Sequence, residues 1–289
     1  MIYLYYNTGD KIHESGVGHN ILNINYYYDM SLKLNAKFIL LNIAYIHNKY
    51  LLSTESEIFL KHLKIKDKNI ITNKNKYDEL KFKNTGKKEL FFDKQYEFDI
   101  YTNDNNDKMY MINNKWNNNI FKQINNPLKN TPFYVNSLFD FSDNFKNEMN
   151  DKYSNYTNLI TCHIRQGNGE IENSRLDLHE DKRNFKRLII NYKIILKQIL
   201  ELNNDKVLII SDNSESYNLF REFNVLQSKN NIDDKSHNNL NENDNLELYF
   251  YYILKDIYLM SKSKYLIRHR SAFSLAPLCF NKNTKLINF

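Results

Sequence analysis

Glycine, proline, cysteine and tryptophan are all scarce in this 289-residue chain, which has six, three, two and one of them. Two cysteines far apart, Cys162 and Cys279, exclude a disulfide framework and a cysteine-rich zinc site, and they fit a reducing compartment. No apolar run approaches the about 18 residues of a membrane span. The first residues, MIYLYYNTGD, lack the basic region and long apolar core of a secretory leader. These absences lead us to expect a soluble, cytoplasmic protein.

What is present has the balance of a globular protein. Hydrophobic residues make up 42% and charged residues 26%, and the length suffices for one large domain or two smaller ones, each with its own core. The net charge is +6, but the lysines are scattered among asparagines and form no basic run or stripe. That distribution argues against a nucleic-acid binder, which gathers its cations on one face. It leaves room for an anionic ligand, and a sugar nucleotide would suffice.

Periodicity divides the chain. MIYLYY reads as a strand, ILNINYYYDMSLKLN as a helix and AKFILLNIAYI as a second strand, with a glycine loop before the helix. From about residue 50 to 150 the text is rich in Lys and Asn, with short apolar pieces such as KELFFDKQYEFDIY. Pro127 and Pro132 mark INNPLKNTPFYV as a linker. We expect an N-terminal domain over 1–150 and a C-terminal domain over 151–289.

The second part alternates clearly. NLITCHI, KVLIIS, KYLIRH and TKLINF read as strands; FKRLIINYKIILKQILEL, SESYNLFREF, LELYFYYILKDIYLMSKS and SAFSLAPLCF read as helices. Strands alternating with helices imply parallel sheets. The expected fold class is α/β, two Rossmann-like domains facing each other across a cleft.

In such sheets ligands bind beyond the carboxyl ends of the strands. Four unusual clusters fall there: Gly16, Gly18, His19 and Asn20 after the first strand; His163, Arg165 and Gly167 at the end of NLITCHI; Ser211 and Asp212 at the end of KVLIIS; and Arg268 to Ser274, RHRSAFS, at the end of KYLIRH. Gly16 and Gly18 let a backbone come close to a ligand, and the helix that follows offers unpaired N–H groups to an anion. Arg165 can grip a phosphate with two hydrogen bonds. Ser271 and Ser274 add hydroxyls at the start of a helix. Together these describe a diphosphate clamp. Each has a plainer reading as well: a tight turn at Gly16 and Gly18, a helix cap at Ser271 or Asp212, a surface carboxylate at Asp256.

The segments GVGHN, CHIRQGN, LIISDN and DIYLMSKSKYLIRHRSAFSLAPL resemble, in order and spacing, the GDP-fucose-dependent fucosyltransferases. DIYLMSKS through SAFS is similar to the bacterial α-1,2 enzymes, and RQGNGE to the rhizobial nodulation and core α-1,6 enzymes. The chain differs from the usual family pattern at His19, Asn20, Asn168 and Ala272.

The resemblance implies a GT-B type glycosyltransferase that moves fucose from GDP-fucose to a glycan hydroxyl with inversion. It places Arg165 on the β-phosphate of GDP, His163 and Asp256 in the guanosine and phosphate pocket, and Asp212 near the base or ribose. Ser271, Phe273 and Ser274 line the phosphate site. Glu170 and His19 are the candidates for the base that takes the acceptor proton.

The resemblance also implies no metal and no cofactor beyond the donor sugar nucleotide, and the sequence has no Asp-x-Asp. The expected partners are a nucleotide-sugar donor and a glycan acceptor, without nucleic acid. A glycan- or nucleotide-binding protein that keeps the fold without turnover is the alternative.

Overall fold

The computed structural model describes residues 1–6, 17–41, 61–91, 96–112, 137–157, 159–164, 178–202, 206–211, 215–228, 246–268 and 273–288. The chain divides into two compact units, Met1–Ser142 and Asp143–Phe289. Both are α/β, with parallel strand pairing in each.

The first unit is built on a five-stranded sheet. Its strands are β1 (Ile2–Tyr6), β2 (Lys37–Ile39), β4 (Lys83–Phe91), β5 (Tyr96–Thr102) and β6 (Lys108–Ile112), in the order β2-β1-β6-β5-β4. β1 pairs in parallel with β2 and β6, whereas β6, β5 and β4 pair antiparallel. This is a mixed sheet, where the strand and helix alternation predicts a parallel one. The short connections after β4 and β5 account for the difference, because only antiparallel neighbours can be joined so directly.

Helix α1 (Val17–Lys33) links β1 to β2. Ile21, Leu22, Ile24, Asn25, Tyr27, Tyr28, Met30 and Ser31 are buried along it, so most of its circumference is covered. It stops at Asn35, which has φ 50, where Ala36 N bonds to Ser31 O at 2.8 Å and Asn35 N to Leu32 O at 3.1 Å. That six-to-one and five-to-two pair is a Schellman ending.

A small antiparallel pair, β3 (Leu63–Ile65) with β7 (Phe139–Phe141), lies in the same unit. The fully buried Asn25 ties it to α1: its Oδ1 accepts from Leu138 N at 2.6 Å while its Nδ2 donates to Ile21 O at 2.8 Å. A five-residue helix, α2 (Lys74–Asp78), precedes β4. The INNPLKNTPFYV segment lies outside the described residues.

The second unit holds a fully parallel sheet. Its strands are β8 (Ile160–Ile164), β9 (Val207–Ser211), β10 (Val225–Gln227), β11 (Tyr265–Arg268) and β12 (Lys285–Asn288), in the order β10-β9-β8-β11-β12. β8 is buried at every residue, as a strand covered on both faces must be. The helices are α3 (Asp143–Tyr153), α4 (Leu178–Leu202), α5 (Glu215–Asn218) and α6 (Leu246–Ser261). Ile189, Tyr192 and Leu196 of α4 pack with Ile160, Cys162, Ile164, Val207, Ile209 and Phe220 into one core. Each large side chain so buried contributes roughly 1.5–3 kcal/mol.

Four expectations from the sequence change. The first helix begins at Val17, so Gly18, His19 and Asn20 belong to its first turn and not to the loop before it. SESYNLFREF is helical only over Glu215–Asn218. Beyond it, Leu219, Phe220 and Phe223 donate to carbonyls three residues back, which lets Tyr217 and Phe220 both reach the core. SAFSLAPLCF forms a 3₁₀ helix over Phe273–Cys279, because Pro277 has no N–H for the Phe273 carbonyl. Strand β10 has no counterpart in the sequence reading. Among the described residues no helix is long and apolar enough to cross a membrane.

Candidate functional site

The parallel sheet of the second unit fixes where a ligand site can form. From β8 the chain moves outward through α4 to β9 and β10. Helix α6 then carries it back to β11 on the other side of β8, and β12 follows. Connections leaving the carboxyl ends of β8 and β11 thus diverge. A crevice opens at such a switch point, and open α/β sheets bind ligands there.

His163 and Arg268 meet at that place, as Cα partners near the ends of β8 and β11. Both are buried, at 6% and 3% exposure. The His163 ring packs against Phe273, with centroids 5.4 Å apart and planes at 43°. Arg268 Nε donates to Ser274 Oγ at 2.7 Å, and Ser274 is fully buried. Tyr192 of α4 donates its hydroxyl to the His163 carbonyl. Burial pushes the Arg268 guanidinium down to about 10, with the Tyr192 phenol acting in the opposite direction. The arginine remains a cation at neutral pH.

A second group of polar side chains lies at the ends of β9 and β10. Ser211 donates to Ser216 Oγ at 3.0 Å, and Ser228 N bonds to Ile209 O at 3.2 Å. Tyr217 donates to the Ser228 carbonyl at 2.9 Å, and Ser228 Oγ donates to Asp256 Oδ1 at 2.6 Å. Lys255, fully buried, has its Nζ 3.9 Å from the same carboxylate oxygen. That ammonium also stands over the rings of Tyr252 and Tyr153, at 5.1 and 5.6 Å. Burial lowers its pKa, and Asp256 opposes the shift. Cys162, buried in β8, has its thiol pushed up by burial and stays protonated, so it is no nucleophile.

Of the residues singled out in the sequence, the described structure places His163, Phe273 and Ser274 together at the switch point. Ser211, the register partner of Ile164, ends the next strand. Asp256 is held on α6 by Ser228. Gly18 is buried in the first turn of α1, in the other unit, and of the side chains of His19 and Asn20 in that turn nothing is described. Arg165, Glu170, Gly16, Gly167, Asp212 and Ser271 lie outside the described residues.

Ser274 does more than open a helix, since its oxygen is engaged by Arg268. The sequence reading passed over Tyr192, Ser228 and Lys255, and it counted Arg268 in a ligand-side cluster without giving it a role. Only Arg268 left a signal there, an arginine closing a strand just as His163 nearly closes another. Among the described residues, no cluster of three or more His, Cys, Asp or Glu is placed to hold a metal ion.

No family model matches the sequence, and no curated protein matches it. Solved structures do match the fold. A NodZ α-1,6-fucosyltransferase crystal soaked with GDP-fucose superposes with a TM-score of 0.53 at 11% identity, over 97% of this chain and 92% of that one. The same enzyme co-crystallised with GDP gives 0.51 at 11% identity, over 96% and 92% of the two chains. Selenomethionine NodZ from Bradyrhizobium gives 0.52 at 10% identity with the same coverage. The chain shares the fold of these transferases. The resemblance read from GVGHN, CHIRQGN, LIISDN and DIYLMSKSKYLIRHRSAFSLAPL therefore extends to the tertiary structure, across nearly all of the chain.

Proposed function

We propose that the protein is a glycosyltransferase that moves fucose from GDP-fucose to a hydroxyl of a glycan acceptor, with inversion at the sugar. Support comes from one observation above the others, the fold shared over 97% of the chain with a fucosyltransferase whose crystals were soaked with GDP-fucose. The parallel sheet of the second unit adds to it, because its switch point carries polar and cationic side chains where a diphosphate would sit.

In this reading the protein has the GT-B arrangement, with residues 1–150 as the acceptor-side domain and 151–289 as the donor-side domain. It acts in the cytoplasm without metal or cofactor. The acceptor oxygen forms a bond to C1 of the sugar as the bond from C1 to the diphosphate oxygen breaks. The electron pair leaves with GDP, and the acceptor proton passes to Glu170 or His19. Arg165 meets the charge that grows on the β-phosphate, a contribution of roughly 3–4 kcal/mol for one well-placed donor. His163, Asp256 and Asp212 hold the nucleoside and phosphates, and Ser211, Ser271, Phe273 and Ser274 complete the pocket.

Calorimetry with GDP, UDP and ADP tests the donor assignment. GDP should bind at least tenfold more tightly than the other two. Equal affinities would remove the guanine reading.

A further inference from the structure

Arg268 is a strongly buried guanidinium, and the sequence reading counts it in the RHRSAFS cluster without giving it a role of its own. Its position is specific. It closes β11 as the register partner of His163 on β8, and these parallel strands are the ones between which the strand order reverses. It is 3% exposed, and its Nε is fixed on the hydroxyl of a fully buried serine, Ser274, at 2.7 Å. Phe273, the residue before that serine, packs on the His163 ring. The arginine thus anchors both ends of the chain between β11 and the 3₁₀ helix.

A cation held this way differs from a surface lysine in two respects. Water and salt screen it poorly, so its field at the carboxyl ends of β8 and β11 stays strong. Its geometry is set before any ligand arrives, so no side-chain entropy is lost when an anion binds nearby. Burial of the charge costs free energy, which depresses the guanidinium's proton affinity, and an anion in the crevice would offset part of that cost.

We propose that Arg268, positioned by Ser274, is an anion-selecting residue of the donor site, and that its charge makes the crevice favour a nucleoside diphosphate over the uncharged nucleoside. This rests on the donor reading above for the guanine part of the ligand, but not for the diphosphate part.

The test is calorimetry on the full chain with three probes: GDP, guanosine and inorganic diphosphate. Arg268→Met should weaken GDP and diphosphate at least tenfold while guanosine affinity stays within twofold, and Arg268→Lys should restore most of the loss. Arg268→Met that binds GDP as wild type does, or that loses guanosine as much as GDP, would overturn the proposal. If Arg268→Met does not fold, Ser274→Ala replaces it: diphosphate weakened at least threefold with guanosine unchanged supports the proposal, and unchanged diphosphate affinity overturns it. Wild-type protein that binds diphosphate but prefers no guanine nucleotide would defeat the donor reading and leave the anion site standing. Wild-type protein that binds neither would defeat both.

Discussion

Replacing Ser228 with alanine is the perturbation whose effect the structure defines most sharply. The hydroxyl lies 2.6 Å from Asp256 Oδ1, and the two residues are 1% and 7% exposed, so solvent has little access to replace it. A buried hydrogen bond to a charged group contributes roughly 1.5–3 kcal/mol. The Lys255 ammonium, 3.9 Å from the same oxygen, remains in the variant and keeps the carboxylate from being left alone. That places the loss near the middle of the range, about 2 kcal/mol. For a unit the size of Asp143–Phe289 this lowers Tm by roughly 4–8 °C. Ser228→Thr, which keeps a hydroxyl, should lose less. Calorimetric unfolding of wild type and both variants is the assay. A Ser228→Ala protein within 0.5 kcal/mol of wild type, a value well below the hydrogen-bond range, would refute the reasoning.

Arg165→Ala should leave the protein folded and weaken GDP at least tenfold, about 1.4 kcal/mol, by calorimetry; unchanged affinity would defeat the diphosphate clamp. Sugar transfer, or slow donor hydrolysis, should survive excess EDTA, and loss on chelation restored by manganese or magnesium would speak for a metal-bound donor. The third outcome concerns alkaline pH. The phenols of Tyr28 and Tyr251 are pushed up to about 12, first by burial and then by the hydrogen bonds they donate to Asp67 and Glu148. A folded-state pKa above the ordinary 10.0 gives stability that is present below pH 10 and lost as the pH rises from 10 toward 12, since the unfolded chain releases these protons first. The urea midpoint should therefore fall between pH 9 and pH 11, and Tyr28→Phe or Tyr251→Phe should remove part of the decline; a flat profile would contradict it.

The second half of the chain was legible because its elements announce themselves. ITCHI is buried at every residue and VLIIS at all but its last, mostly apolar as strands covered on both faces are, and Ile189, Tyr192 and Leu196 fall at helical spacing beside them. The first half was less so. β4 carries KNTGKKEL, a lysine-rich exposed edge strand, and edge strands use charge in place of an alternating apolar face. β10 is three half-buried residues, too short for any period. At the site, sequence could name His163, Ser274 and Asp256 from strand ends and resemblance. It could not show that Ser274 is gripped by Arg268, or that Ser228 lies against Asp256, because partners six and 28 residues apart meet only through the folded sheet.

The most direct measurement is release of GDP from labelled GDP-fucose by the purified full chain, run beside UDP-glucose and GDP-mannose, with and without glycan acceptors. The fucosyltransferase reading predicts hydrolysis or transfer with GDP-fucose that exceeds both other donors at least tenfold. Tight binding of GDP-fucose without any release would point to a protein that keeps the fold without turnover. Equal release from UDP-glucose would contradict the donor assignment.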